Sequence, residues 1–261
     1  MFRFGGHHWV LHLMLILSMS TAFAGAVRAQ SFHDRMFGSS GQDGRTTSTP
    51  TVARFESDDG DSFVLDQSSG QPLMRFDGDS EVWSLTVTQG PKGDLIYKND
   101  VGQPVLKATR WGGMILFSAE RPTGDPVAVA GKADALQPGR MSPALLWQTL
   151  ARGSRRVSQA VGRLVPFDAP EVTPGADSLY AQAADVASNA LVTLASQVKG
   201  HERLAPVHGV QFVEGRPPSA TITDGVLVMK LDISRGSWGG HVSSKRIINV
   251  ITASFTLADD R

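Results

Sequence analysis

The stretch Asp66-Gln67-Ser68-Ser69-Gly70-Gln71-Pro72-Leu73-Met74 is echoed by Asn99-Asp100-Val101-Gly102-Gln103-Pro104-Val105-Leu106, and more loosely by Gly124-Asp125-Pro126-Val127. In each copy a turn at Asp, Asn or Gly is followed by Pro and an apolar residue. A strand therefore arrives, reverses and leaves through a residue with no N–H for a ladder, which places that Pro at a strand start or on an edge. This unit decides the reading of Thr51 to Gly131 as a series of short hairpins.

The residues between the turns agree. Phe63 and Leu65 alternate with Ser62, Val64 and Asp66; Trp83, Leu85 and Val87 alternate with Ser84, Thr86 and Thr88; Leu95 and Tyr97 alternate with Ile96 and Lys98. Period-2 patterning bounded by Asp-Gly, Gly-Asp and Asn-Asp turns marks half-buried antiparallel strands. Met114 to Phe117 is apolar on both faces and fits a central strand. An antiparallel meander or a small barrel-like sheet is expected over residues 51–138.

Beyond Gly139 the period changes. Ser142-Pro143 is a helix start, with Ser to cap free N–H groups and Pro at the first helical position. Leu146, Leu150, Val157, Val161 and Leu164 form an apolar stripe, with Arg152, Arg155, Arg156 and Arg163 off it. Thr173-Pro174 repeats the start for a second helix carrying Leu179, Ala183, Val186, Ala190 and Leu194, which Lys199-Gly200 ends. Residues 139–200 read as a two-helix hairpin. From His201 to the end, Val207–Val213, Ala220–Thr223, Val226–Ile233 and Ile247–Leu257 read as antiparallel strands, with Asp224-Gly225 as a tight hairpin turn and Ser234–Gly240 as a glycine-rich loop. The chain is thus expected to be α+β, with residues 51–261 one compact domain.

Ahead of this domain, Arg3, the apolar run Trp9–Leu17 and a small-residue tail ending Val27-Arg28-Ala29 have the order of a cleaved export signal. The apolar core is about half the roughly 20 residues a membrane helix needs. Cleavage near Ala29 and a periplasmic or extracellular destination are expected, with residues 30–50, rich in Ser, Thr, Gly and Asp, a flexible leader. Cysteine is absent, so a disulfide framework, a thiol nucleophile and a lipidated cysteine are excluded. The chain carries 25 basic and 25 acidic residues, and loss of Arg3 and Arg28 with the signal leaves acids in slight excess, which argues against nucleic acid as a partner.

Candidate chemistry is sparse. Ser237 and His241 in the glycine-rich loop could form part of a hydrolytic triad, but Ser237 lacks the flanking glycine pattern and the strand-to-helix setting of a nucleophile elbow. Ser196-Gln197-Val198-Lys199 places its serine at the end of a helix rather than the start. Asp58-Asp59-Gly60-Asp61 and Asp77-Gly78-Asp79-Ser80-Glu81 lack the ligand spacing of a calcium loop and read as solvated turns. His33, His201, His208 and His241 are scattered, so no metal or cofactor is expected. The feature with a plausible partner is the arginine-bearing helix: Arg152, Arg155, Arg156 and Arg163 suit an anionic membrane surface or an acidic envelope protein.

Taken together, the Arg54-Phe55 to Leu65 opening, the run from Gly93-Asp94 through Asn99-Asp100 to Gly102-Gln103-Pro104-Val105-Leu106, and the exported β–α–β layout resemble a family of exported bacterial proteins of unknown function. The resemblance covers most of the mature chain and implies no activity, cofactor or catalytic residue. The functional expectation is therefore a non-enzymatic envelope protein that binds or supports, with a Ser237/His241 serine hydrolase as the alternative.

Overall fold

A computed structural model describes residues 50–259, which belong to one compact unit. The proposed signal peptide, all but the end of the leader, and His33 lie outside the described residues.

The first nine strands are β1 (Val52–Ser57), β2 (Ser62–Asp66), β3 (Leu73–Phe76), β4 (Trp83–Ser84), β5 (Thr86–Gln89), β6 (Leu95–Lys98), β7 (Pro104–Ala108), β8 (Met114–Leu116) and β9 (Asp125–Lys132). All pair antiparallel, in the order β4-β3-β2-β1-β9-β8-β7-β6-β5. The two ends of this order are consecutive in the chain. Only Leu85 separates β4 from β5, and its N–H donates to the Pro72 carbonyl at 2.8 Å. The sheet therefore closes on itself through a bent strand, and the expected meander is a small barrel.

Closure follows from the alternation. Phe55, Phe63, Leu65, Met74, Leu85, Tyr97, Leu106 and Leu116 are buried together, with Phe55 and Phe63 stacked at 5.3 Å. Roughly eight strands enclose just enough space for side chains to fill, so the interior is a core and not a ligand lumen. Pro72 lies outside the ladder and Pro104 opens β7, as the lack of an N–H requires. On β2 the opposite face is buried too: Val64 packs with Leu73, Val82 and Leu136 under a strap formed by residues 133–138.

After the strap come α1 (Pro143–Val161) and α2 (Asp177–Ala195), which pack against each other. Ser142 caps α1 by accepting the Leu145 N–H, and Gly162 ends it in the left-handed conformation, φ 72°. Leu146, Leu150 and Val157 are buried as the stripe requires, but Leu164 lies beyond Gly162 and is 76% exposed. Gly153 is a packing requirement, because a Cβ there would come within 2.8 Å of the Phe167 ring. The second helix starts later than Thr173-Pro174 suggests: the Thr173 carbonyl accepts the Ala176 N–H, and its hydroxyl donates to Glu214. Its alanines, including Ala183, Ala187 and Ala190, let neighbours approach on nearly every side.

A second sheet contains β10 (Phe167–Asp168), β11 (Gly209–Glu214), β12 (Ser219–Thr223) and β13 (Val226–Leu231), in the order β10-β11-β13-β12. The β12–β13 hairpin is antiparallel and turns at Asp224-Gly225, as expected. However, β11 pairs with β13 in parallel, because β12 lies on the outer edge and β13 inserts beside β11. Short helices α3 (Gly200–Leu204) and α4 (Gly236–Gly239) follow α2 and β13 respectively. Ile247–Leu257, expected as a strand, belongs to α5 (Ser244–Asp259). Ile247 and Ile251, spaced i, i+4, bury one face against the core containing α2, and that packing overrides the β-branched preference for strand.

Candidate functional site

The repeated turns mark where the barrel meets the helical layer. Asp66 Oδ1 accepts both the N–H (2.8 Å) and the hydroxyl (2.6 Å) of Ser68, and Oδ2 accepts the Leu136 N–H at 2.7 Å, tying the strap to the barrel. In the second copy, Asn99 Oδ1 accepts the N–H groups of Val101 (3.2 Å) and Gln103 (3.0 Å). Because Asn99 folds the turn, Asp100 is free to reach outward. It accepts the Ser243 N–H at 2.9 Å and hydroxyl at 2.6 Å, and Arg246 Nε lies 3.2 Å from it. Glu81 treats Ser244 in the same way, at 2.9 and 2.5 Å. Two barrel carboxylates thus take up the N-terminus of α5, where unpaired N–H groups and the helix dipole favour negative charge. Burial pushes the Glu81 carboxyl up from its usual range, partly offset by Ser244. The third copy acts elsewhere: Asp125 pairs with Arg121, which also pairs with Asp59.

The segment from Asp232 to Ser244 is more ordered than a glycine-rich loop. Asp232 Oδ1 accepts the Ser234 N–H and hydroxyl, the same Asp-x-Ser turn as Asp66, and with Arg216 nearby its carboxyl is held below the usual range. A 3-10 turn at Ile233–Arg235 leads into α4. Gly240 is obligatory, since a Cβ there would lie 2.5 Å from the Asp232 carbonyl oxygen.

This winding separates the two residues of the hydrolase reading. Ser237 lines an open cleft with Gln71, Gln137 and Trp238. His241 is buried against the barrel, its Nδ1 3.0 Å from the Val242 carbonyl oxygen and its Nε2 without a partner among the described residues, so no hydrogen bond joins it to Ser237. It lines a cavity of about 20 Å³ with Glu81, Ser84, Asn99, Asp100 and Ser243. Burial pushes the His241 imidazole down, opposed by the Val242 carbonyl and by Asp100. No group of three or more His, Cys, Asp or Glu able to hold a metal is found among the described residues.

Trp238 stands between two clefts. Its Nε1–H donates to the Leu136 carbonyl at 2.9 Å, which fixes the ring on the strap. On one side is the cleft with Ser237 and Gln71, about 440 Å³; on the other is one of about 360 Å³ holding Arg75, Ser80, Gln182 and Asp185. The clefts share Ala135, Leu136, Gln137 and the Trp238 ring.

A family model described as a domain of unknown function, DUF4908, matches residues 31–251, which include both clefts and the capped start of α5. The chain belongs to this family. No curated protein and no solved structure matches it.

In this DUF4908 protein the four arginines have different surroundings. Arg152, Arg155 and Arg156 are exposed on α1, Arg156 donating to Asn189 Oδ1 at 3.1 Å. Arg163 Nη2 instead donates to the carbonyls of Leu204 (2.7 Å), Ala205 (3.2 Å) and Val207 (2.6 Å), closing the end of α3. These bonds tie Arg163 to the fold at that point. The contacts of Glu81 and Asp100 with α5, and the place of Asp185 and Trp238 in the clefts, have no mark in the sequence, although the spacing of the repeat places Asp100 directly after the turn-forming Asn99.

Proposed function

We propose that this DUF4908 protein is exported and works in the cell envelope by non-enzymatic contact, lying on an anionic lipid surface through α1. The export-signal pattern of residues 1–29 supports the location. The observation that carries the contact is the outer face of α1. Trp147 is 53% exposed and Leu145 46%, on a helix with Arg152, Arg155 and Arg156 exposed and no acidic residue. Trp147, Ala151 and Arg155 stand one above another at i, i+4 spacing. An indole suits the headgroup level and the arginines suit anionic lipid, each contributing about 1 kcal/mol near such a surface. Among the described residues no helix is long and apolar enough to cross a membrane, which fits peripheral attachment.

The test is co-sedimentation of the mature chain with phosphatidylglycerol vesicles and with phosphatidylcholine vesicles. Salt-sensitive binding to the first alone is expected, weakened about tenfold or more in a Trp147→Ala/Arg155→Gln variant that keeps its fold. Equal binding to both vesicles, or to neither, overturns the lipid reading. Ester, peptide or glycan turnover abolished by Ser237→Ala overturns the non-enzymatic one.

A further inference from the structure

We infer that the paired clefts flanking Trp238 form a carbohydrate-binding groove, a site distinct from the lipid-facing side of α1, in which Asp185 accepts ligand hydroxyls and the Trp238 ring supports a sugar face. The starting observation is the contrast among the acids. Asp66, Asp100, Glu81 and Asp232 each accept two or more hydrogen bonds from the protein. Asp185, half-buried on α2, accepts none and forms no ion pair among the described residues; Arg152 and Arg156 act on it from a distance. Burial pushes its carboxyl above the usual range, with the two arginines opposing. A partly desolvated acceptor without donors is costly, and donors supplied by a ligand relieve that cost.

The surroundings narrow the ligand. The same cleft is lined by the Trp238 ring, which is fixed because its N–H donates to the strap, and the strap is in turn held by Asp66. Ser80, Gln137 and Gln182 add hydroxyl and amide groups to that cleft beside Arg75 and Asp134, and Gln71 and Ser237, with Arg235, continue this chemistry in the neighbouring one. Short polar groups around a rigid aromatic plate match a molecule with many neutral hydroxyls and an apolar ring face. Each cleft falls in the size range of ligand sites, and because they share Gln137 and Trp238, a chain of sugar units can run across both. A peptide fits less well: strand addition needs a free sheet edge, and the edge strands of the second sheet, β10 and β12, line neither cleft.

Titration of the mature chain with short chito-, cello- and dextran oligosaccharides, followed by tryptophan fluorescence and by saturation-transfer NMR, tests this. At least one series is expected to saturate, with affinity falling about tenfold or more in Asp185→Asn and in Trp238→Ala. Should Trp238→Ala fail to fold, Gln182→Ala takes its place. Trp147→Ala is expected to bind sugar unchanged, so loss of vesicle binding in that variant leaves the groove untouched. The proposal is overturned if no oligosaccharide binds, if Asp185→Asn binds as tightly as the natural chain, or if extended peptides displace the sugar at equal concentration.

Discussion

The barrel interior and the barrel–helix junction are built from the same strands by opposite means. Inside, Phe55, Phe63, Leu65, Met74, Leu106 and Leu116 contribute apolar area and shape. At the junction, Asp66, Glu81 and Asp100 contribute hydrogen bonds aimed at named N–H groups of the strap and of α5. The first kind of contact is non-directional and scales with area. The second works only at one register, because a carboxylate displaced by a residue leaves both itself and a helix N–H unpaired. The interior therefore specifies that a barrel forms, and the junction specifies where the helical layer sits on it.

The largest effect expected is on the interior. Phe63→Ala removes a fully buried ring stacked on Phe55 and should cost about 3–5 kcal/mol in chemical denaturation. A cost below about 1 kcal/mol would mean that the interior is not the core.

That half of the molecule was legible from its residues, since period-2 alternation and Gly-x-Pro turns are local signals. The junction was not. Glu81 lies in an acidic turn that reads as solvated until α5 is brought against it, and the pairing order that makes β11 and β13 parallel is a long-range choice with no local mark. Ser237 and His241 are neighbours in the chain, but the wind of α4 turns one outward and the other inward. Closeness in sequence suggests shared chemistry, and one helical turn is enough to separate the two side chains. Ile247–Ile251 misled for a related reason: its β-branched side chains report burial, and only the partner α2 decides that the burial is helical.

The junction can be challenged through pH. The folded value of His241 lies below its usual 6.5, so its contribution to stability is fully present above pH 6.5 and is lost as pH falls through the window beneath it. One proton gives at most about 1.4 kcal/mol per pH unit. Glu81 titrates with the opposite sign, because its raised value makes the folded state hold a proton more tightly. The decisive comparison is therefore between the natural chain and His241→Gln, whose stability curve should be flatter just below pH 6.5. Superimposable curves would show that His241 takes up its proton equally in the folded and unfolded chain and that the junction does not sense pH there.

The smallest effects should come from the arginines, and they divide the helical layer as the acids divide the barrel. Arg163 donates to three carbonyls around the end of α3, and Gln is too short to reach them from the same backbone position. Arg163→Gln should cost about 1–2 kcal/mol, the loss of more than one charge-assisted hydrogen bond reduced by the partial exposure of the site. Arg155 is exposed, so Arg155→Gln should change stability by no more than about 0.5 kcal/mol. Paired thermal melts of the two variants measure the difference directly. If both melt with the natural chain, Arg163 is a surface residue and the α3 end holds without it. If Arg155→Gln melts as early as Arg163→Gln, the outer face of α1 is committed to the fold and is not free to meet a lipid surface.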